Sequence, residues 1–505
     1  MSLAKVFSAQ LTGLISEIIT IEVDITRGLH SFSVIGLGDR AVEESKDRIS
    51  GAIKNSGFES PKQKNQKIVI SLAPAYIRKE GPSFDLGMAI AYLIATDEIE
   101  IESSKKLFFG ELSLEGELRR VDGILPIICQ AKDQGFDEIF IPKANAEEAS
   151  LAENITIYPA ENLKQVIDHL IGIKYIENVQ YTKPFTEINQ NIFDMKDVRG
   201  NENVKRGLEI AASGAHNVIM CGIPGTGKTM LAQTFPSILP DLSYKHAVEV
   251  ISVHSVAKNL DRGLSFRPPF RSPHHTASYP SIIGGGGFPK PGEITLAHRG
   301  VLFLDEFLEF DSNVIESLRQ PLEDRKVTIS RAKGTVTFPA QFILIASMNP
   351  CPCGKGKANG CSCSLKSLDN YKKKLSGPIV DRIDIWLNVN KVDYEKLGQE
   401  RSVAESSETI KKRVVEAREI QNKRFSSRNL NISFNSEMSS RNIEELVKID
   451  STARSTLVSS AKKMGLSGRS FHRTIKVAQT IADLEKSPSI ENRHILEALQ
   501  YRKKL

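Results

Sequence analysis

The chain has 505 residues, of which 40% are hydrophobic and 25% are charged, and its formal net charge is +6. This composition excludes a disordered chain and indicates a globular protein of two to four domains. No apolar run approaches the roughly 18 residues of a membrane span, and the first residues lack the long apolar core of a signal peptide. We therefore expect a cytoplasmic protein with no membrane partner.

Residues 1–172 alternate short apolar strands with amphipathic helices, which predicts an α+β or α/β unit. The expected strands include 19–25, 32–35, 67–72 and 138–143, and the expected helices are 41–56, one from Asp85, and one near 125–134. Residues 173–196 are polar and irregular, which is typical of a linker.

Residues 197–392 predict a second α/β unit, with strands at Val218, Val301 and Phe342. Residues 393–505 predict a helical domain, with helices at 411–425, 442–464, 470–486 and 490–505. Eleven Lys and Arg stand against four Asp and Glu in residues 451–505. Such a basic segment fits either nucleic-acid binding or solvated helical faces.

The most informative motif is the segment Gly222-Ile223-Pro224-Gly225-Thr226-Gly227-Lys228-Thr229, which matches G-x-x-x-x-G-K-[ST] at every fixed position. An apolar strand precedes it and a helical segment follows it. Glycines let backbone N–H groups converge on a triphosphate, while Lys228 neutralises the β and γ phosphates and Thr229 ligates Mg²⁺. ATP and Mg²⁺ are therefore the expected ligands.

A second nucleotide motif is the apolar strand that begins at Val301 and ends in Asp305 and Glu306. Asp305 is expected to join the Mg²⁺ coordination sphere, and Glu306 is expected to activate the attacking water. An apolar strand that ends in Asp-Glu is often only structural, but its position after a phosphate loop favours catalysis.

Three further polar residues have expected roles in hydrolysis. Asn349, after a third strand, offers amide donors and an acceptor for a water and a γ-phosphate, and resembles the sensor residue of AAA+ ATPases. Arg382 is the candidate arginine finger for a neighbouring subunit's nucleotide, unless it is a surface residue paired with Asp381 or Asp384. Arg469 resembles the second sensor arginine, with Arg473 as its rival one helical turn later.

These motifs together resemble the magnesium-chelatase-like AAA+ ATPases of the ComM/YifB family. The resemblance covers essentially the whole chain and rests on the phosphate loop, the Asp305-Glu306 strand and segments 197–200, 267–278, 291–300, 349–354 and 381–384. It implies a homo-oligomeric, hexameric ring that drives branch migration of recombining DNA, with a role in natural transformation in some bacteria. It also implies a helix-2 insert, which fits the glycine run 284–287 before Asp305.

A β-hairpin is predicted over residues 326–338, where β-branched residues alternate around an Ala-Lys-Gly turn. In related members the corresponding hairpin points into the ring channel. The resemblance therefore implies that Arg331 and Lys333 contact the phosphate backbone of single-stranded, forked or four-way DNA. Without the resemblance, an ordinary solvated hairpin explains these residues equally well.

Four cysteines, Cys351, Cys353, Cys361 and Cys363, lie within thirteen residues of a polar loop. Four thiolates could close a structural Zn²⁺ site, but the Cys-x-Cys spacing is tighter than usual, and reduced free thiols remain an equal alternative. The neighbouring pair His274-His275 is expected to belong to the insert and not to a metal site, because adjacent loop residues usually point apart.

The N-terminal region resembles the proteolytic domain of Lon-type Ser-Lys proteases, through Glu80-Gly81-Pro82-Ser83 and later segments. The catalytic lysine of that family would fall on Leu125, so the dyad is absent and proteolysis is disfavoured. The expected fold is thus an N-terminal Lon-protease-like (ribosomal S5 domain 2-like) α+β domain, a central AAA+ P-loop α/β domain and a C-terminal helical lid. A DNA motor is the favoured function; a protein-remodelling motor of the magnesium chelatase type is the alternative, and a Lon-like protease ranks third.

Overall fold

The computed structural model describes residues 4–181, 193–258, 265–286, 289–331, 334–356, 360–375, 377–391 and 405–502. The chain forms two compact units. The first comprises Met1–Thr186 with Ala247–Ser265, and the second comprises Glu187–His246 with Phe266–Leu505. The finer division at residues 172, 196 and 392 stays a prediction.

A mixed seven-stranded sheet organises the first unit, in the order β3-β4-β2-β1-β5-β8-β9. The strands of this unit are β1 Ala4–Thr12, β2 Ile15–Arg27, β3 Ser31–Ile35, β4 Gln66–Ala73, β5 Lys106–Phe108, β6 Glu111–Leu112, β7 Leu118–Arg119, β8 Glu138–Pro142 and β9 Thr156–Ala160. Antiparallel pairing joins β1 to β2 and β2 to β4, and parallel pairing joins the remaining neighbours. The expected strands here are confirmed, while β1 was not expected.

Helices cover this sheet with apolar faces. They are α1 Arg40–Asn55, α2 Asp85–Ala95, α3 Ile124–Ala131, α4 Ala146–Ala149 and α5 Leu163–Leu170. In α1, Asp39 caps the first turn by accepting from the Val42 N–H, and Val42, Ile49 and Ile53 recur at helical spacing on its buried face. The helix α2 is buried along almost its whole length, as its apolar sequence predicts.

The second unit is built on a five-stranded parallel sheet in the order β11-β14-β17-β10-β18. Its strands are β10 Val218–Cys221, β11 Phe270–Arg271, β14 Val301–Leu304, β17 Ile343–Met348 and β18 Ile385–Asn388. Strands β10, β14 and β17 are apolar and almost wholly buried, as is typical of parallel sheets covered on both faces. The expected strands at Val218 and Val301 are confirmed, and the third begins at Ile343, one residue later than expected.

Two antiparallel ribbons accompany this sheet. One pairs β12 Gly284–Gly285 with β13 Lys290–Pro291, and the other pairs β15 Lys326–Arg331 with β16 Gly334–Pro339. The second ribbon confirms the predicted hairpin. Its tip residues 332–333 lie outside the described residues.

The second unit has helices before and between its strands, and most of them are short. One of them, α8, has residues in both units. These helices are α6 Glu202–Gly214, α7 Lys228–Thr234, α8 Tyr244–Val256, α9 Tyr279–Ile283, α10 Glu293–Leu296, α11 Ser312–Ser317, α12 Arg319–Asp324, α13 Leu365–Lys373 and α14 Gly377–Val380. None of the helices in the described ranges is both long and apolar enough to cross a bilayer.

The C-terminal part is helical, as expected. It contains α15 Ser407–Ser426, α16 Ser440–Leu446, α17 Ser451–Met464, α18 Gly468–Leu484 and α19 Asn492–Gln500. The single helix expected over 442–464 is wrong, because residues 448–450 pair instead with Ile490: the Ile490 N–H donates to the Lys448 carbonyl (2.8 Å) and the Asp450 N–H to the Ile490 carbonyl (3.1 Å). This bridge divides the segment into α16 and α17.

A buried carboxylate, Asp384, joins the parallel sheet to the C-terminal helices. It accepts from Arg473 on α18 (2.5 Å) and from the backbone N–H of Asn217 (3.0 Å), and it lies 3.5 Å from His216. Burial by itself would raise the pKa of Asp384, but Arg473, His216 and Asn217 outweigh it and hold the pKa well below its usual range. Arg473 is therefore a structural anchor.

We expect Asp384→Asn to lower the free energy of unfolding by about 3–5 kcal/mol, because it leaves the Arg473 charge buried without its partner. Chemical denaturation at neutral pH measures this loss. Since the folded-state pKa is depressed, the contribution is complete above the ordinary Asp pKa of about 3.9 and is lost in stronger acid. Asp381→Asn is the control, because among the described residues Asp381 accepts only long hydroxyl bonds, from Ser467 (3.3 Å) and Ser470 (3.5 Å). An equal loss in both variants would contradict the anchor.

Candidate nucleotide-binding site

The phosphate loop runs from the carboxyl end of β10 into α7. Gly222 has to be glycine because a Cβ there would lie 2.5 Å from the carbonyl oxygen of Val389. Gly227 has a φ of +86° directly before α7, a left-handed conformation that favours glycine. The backbone thus has the conformation that the sequence motif predicts.

Lys228, at the first position of α7, is buried with its ammonium turned back over the loop. Its Nζ donates to the carbonyls of Gly222 (2.7 Å) and Ile223 (3.1 Å) and to Oδ1 of Asn349 (3.2 Å). Burial lowers the pKa of Lys228, and the nearby Asp305 carboxylate opposes this effect. These three bonds all go to neutral acceptors, so the charge fits a phosphate group.

Thr229 and Asp305 converge as expected of Mg²⁺ ligands. The Thr229 hydroxyl donates to Oδ2 of Asp305 at 2.8 Å, which brings the residue after the lysine beside the end of β14. Hydroxyl and carboxylate oxygens are the donors that Mg²⁺ prefers. The donor set of this structure therefore fits the expected ion.

Ser347 on β17 holds the other oxygen of Asp305. Its hydroxyl donates to Oδ1 of Asp305 and accepts from the backbone N–H of Glu306 at 3.3 Å. Sequence reasoning missed this residue. The available signal was a single hydroxyl in an otherwise apolar strand, one strand away from Asp305.

Glu306 follows Asp305 in a left-handed conformation, with φ +51°, and its side chain is 52% exposed. Non-glycine residues seldom adopt this conformation, and strain of this kind concentrates at functional sites. The Nδ1 atom of His275 lies 3.5 Å from Oε2 of Glu306. The expectation that His274 and His275 point apart is wrong, because their rings lie 4.1 Å apart between centroids with their planes tilted by 34°.

Asn349 lies at the end of β17 and contacts Lys228, as described above. Its backbone carbonyl accepts from the Tyr371 hydroxyl at 3.0 Å. The structure thus brings together Lys228, Thr229, Asp305, Glu306 and Asn349 at one edge of the sheet.

Arg382 and Arg469 are not part of that cluster. Arg382 precedes β18, whose first residue Ile385 is opposite Val218 at the start of β10, and its carbonyl accepts from the Asn217 side chain. It therefore lies at the amino ends of the strands, about 13 Å of strand away from the phosphate loop. The structure instead joins Arg382 and Arg469 through Glu323 on α12, which contacts both guanidinium groups; neither Asp381 nor Asp384 is the ion-pair partner of Arg382.

The expected DNA-contacting side chains cannot be placed. Lys333 and the side chain of Arg331 lie outside the described residues. The hairpin that carries them is regular up to Arg331, which is opposite Gly334.

The four cysteines form a compact cluster beside the phosphate loop. All four Sγ atoms lie within 4.8 Å of one another, with 3.3 Å between Cys351 and Cys353 and 3.7 Å between Cys353 and Cys361. A tetrahedron of Zn–S bonds of about 2.3 Å has edges of about 3.8 Å between sulfurs. The Gly356 N–H also donates to the Cys351 sulfur at 3.2 Å, so the cluster has the geometry of a four-thiolate site.

In the first unit, the position of the Lon-type base is part of the core. Leu125 is fully buried, and its backbone N–H donates to Oε1 of Glu148 at 3.1 Å. A buried leucine cannot act as a base toward Ser83.

Comparisons with known proteins match all three parts of the chain. The family described as "Magnesium chelatase, subunit ChlI" matches residues 194–397, "Subunit ChlI of Mg-chelatase" matches 21–145, and "Magnesium chelatase, subunit ChlI C-terminal" matches 404–502. Competence protein ComM of Haemophilus influenzae is 39% identical across 99% of this chain and 98% of its own length. YifB of Escherichia coli is also 39% identical, across 99% and 97%.

The N-terminal part has a second, partial similarity. An archaeal Lon protease of Thermococcus kodakarensis is 31% identical over 136 residues, which are 26% of this chain and 21% of that protein. The similarity is thus limited to a domain.

We expect Ser347→Ala to lower the ATP turnover rate about tenfold or more, because Asp305 loses a charge-assisted hydrogen bond. Nucleotide affinity should change little, since Lys228 and the loop are untouched. Steady-state ATPase assays across Mg²⁺ concentrations measure both. Ser317→Ala is the matched control, because in the part of the chain that the structure describes the Ser317 hydroxyl bonds only to the Val314 carbonyl of its own helix. Equal rates in all three proteins would exclude this role of Ser347.

Proposed function

The chain belongs to the ComM/YifB family of magnesium-chelatase-like AAA+ ATPases, and from this premise we propose that it is a ring-forming motor that uses ATP hydrolysis to drive branch migration of DNA. The observation that carries the proposal is the convergence of Lys228, Thr229, Asp305 and Asn349 at one edge of the parallel sheet. The setting we propose is recombination or natural transformation, which the name of the competence relative supports.

Each residue of the site has a distinct proposed role. Gly222 to Gly227 bind the phosphates through backbone N–H groups, and Lys228 neutralises them. Thr229 and Asp305 would hold Mg²⁺, which would supply neutralising charge to the phosphates when bound. Glu306 orients and deprotonates the attacking water, and Asn349 keeps that water and the γ-phosphate aligned through its amide group.

The arginines complete the site of the neighbouring protomer. Arg382 and Arg469 lie at the opposite sheet edge from the phosphate loop of their own chain, so they are suited to act in trans. A guanidinium there stabilises charge on the transferred phosphoryl group of the next subunit. The active form is therefore a closed homo-oligomer, which we propose to be a hexamer.

The hairpin β15–β16 is the proposed DNA contact. Its tip carries Arg331 and Lys333, and cations on such a tip bind phosphates without reading sequence. The magnesium chelatase similarity also fits a protein-remodelling role. The competence relative, which matches over its full length, favours DNA as the substrate.

We expect forked or four-way DNA to stimulate ATP hydrolysis severalfold, compared with single-stranded and duplex DNA and no DNA. The double variant Arg331→Ala with Lys333→Ala should lower the slope of log affinity against log salt by about 1.5–2, since two phosphate contacts are lost. Lys326→Ala, which removes one positive charge from an exposed lysine at the base of the hairpin, is the control for position. Glu306→Gln supplies the background rate. Hydrolysis that is indifferent to every DNA would contradict the DNA motor.

We also propose that the four-cysteine cluster binds one structural Zn²⁺. A polar loop of this kind lacks apolar side chains for a core, and four thiolates around an ion would fix it instead. Gly354 within this loop lies close to Pro224 of the phosphate loop, where an added Cβ would come within 2.9 Å of the proline ring. The ion would therefore also support the phosphate loop.

Purified protein should contain about one zinc per protomer by elemental analysis. Cys351→Ser with Cys353→Ser should abolish it, whereas Cys129→Ser, an exposed cysteine outside the cluster, should retain it. Metal-free wild-type protein, or equal zinc in both variants, would rule out this site.

A further inference from the structure

Four arginines lie close together near the amino ends of the parallel strands: Arg319, Arg382, Arg469 and Arg473. Two of them have a carboxylate of their own. Arg473 pairs with Asp384 at 2.5 Å, and Arg319 pairs with Glu316 at 2.6 Å. Arg382 and Arg469, by contrast, share the single carboxylate of Glu323. The pair that we assign to the neighbouring nucleotide is thus the pair whose charge is least compensated.

Arg382 is held in a withdrawn position by these contacts. Its side chain is only 10% exposed; one Nη contacts Glu323 and the other donates to the Pro378 carbonyl at 2.7 Å. Within the described part of the chain, its buried Nε has no hydrogen-bond partner. Burial, followed by the charges of Arg469, Arg473 and Arg319, lowers the pKa of this guanidinium, so the environment disfavours the cation.

Glu323 itself lies at the surface. Its side chain is 49% exposed and that of Arg469 is 60% exposed, with 3.4 Å between Oε1 and Nη2. A half-exposed ion pair is weak and exchanges readily. A triphosphate carries more charge than a carboxylate and binds arginine through several oxygens, so it would displace Glu323 from the guanidinium groups.

We propose that Glu323 is a latch that holds Arg382 and Arg469 away from the neighbouring nucleotide until the γ-phosphate of that nucleotide competes for them. This inference rests on the proposed function, in which these arginines act in trans. Glu323 touches no nucleotide in this scheme and acts only through the arginines, so it is a positioning residue. The latch keeps hydrolysis low when protomers are poorly assembled and delivers both arginines together when the ring closes.

The test is the DNA-free ATPase rate as a function of protein concentration. Glu323→Gln removes the carboxylate charge and keeps the size of the side chain. We expect the protein concentration at half-maximal rate to fall about threefold, the scale of a weak surface ion pair. Glu323→Asp keeps the charge and should move the half-maximal concentration less than Glu323→Gln does. Binding of a fluorescent ATP analogue should be the same in all variants.

Glu316→Gln is the matched control, because Glu316 pairs with the neighbouring Arg319 and is exposed to a similar degree, at 40%. It should behave as the wild type. Melting temperatures of all variants confirm that they are folded, and Glu323→Ala provides a second neutral substitution.

Two different failures can be told apart. In the first, Arg382→Ala abolishes hydrolysis, but Glu323→Gln and Glu323→Ala leave the protein concentration at half-maximal rate unchanged or raise it. The latch is then wrong and the trans arginine stands. If Arg382→Ala hydrolyses ATP at the wild-type rate, the arginine assignment in the proposed function fails and the latch fails with it. A gain in Glu316→Gln equal to that in Glu323→Gln would also overturn the latch, because it would reflect surface charge in general.

Discussion

The parallel alignment of β10, β14, β17 and β18 is the constraint from which the rest of the site follows. In a parallel sheet all carboxyl ends meet at one edge, so the residues after each strand converge although they are distant in sequence. Three residues that follow different strands illustrate this: Lys228, Asp305 and Asn349. Lys228 bonds to Asn349, and Asp305 accepts from Thr229 and Ser347. The same alignment brings the residues before the strands, Asn217 and Asp384 among them, to the opposite edge.

The two edges therefore have different electrostatic characters. At the carboxyl edge, a buried ammonium surrounded by neutral acceptors faces a pair of carboxylates, a combination suited to a metal-bound phosphate. At the amino edge, arginines cluster around a few acids, and one of these, Asp384, is fully buried and fixes the C-terminal helices through Arg473. In the ring that we propose, the arginine edge of one subunit would meet the phosphate edge of the next, and each edge would supply charges that the other lacks.

The N-terminal unit combines a partial similarity to a Lon protease with a core residue at the position of the Lon-type base. Its mixed sheet and buried α2 resemble the Lon-type domain, and a partial identity to an archaeal Lon protease supports this origin. Leu125 is packed into the core at the position of the Lon base, and the cost of inserting a charge there would be large. The packing of such a domain depends on apolar periodicity, whereas a catalytic dyad depends on single residues, so the two can separate.

Local sequence patterns were enough to predict the phosphate loop, the strand ending in Asp305 and Glu306, the hairpin from Lys326 and the helical C-terminal part. Each of these is a local pattern of apolar period or fixed spacing, and local patterns survive without tertiary context. Three features emerged only from the folded chain: Ser347 holds Asp305, Glu323 joins Arg382 to Arg469, and pairing with Ile490 interrupts the helix expected over 442–464. These contacts join residues 40 to 146 positions apart. Their partners are ordinary Ser, Glu and Ile side chains or backbone groups with no signature of their own, so the contacts depend on how the chain folds back and not on any pattern along it.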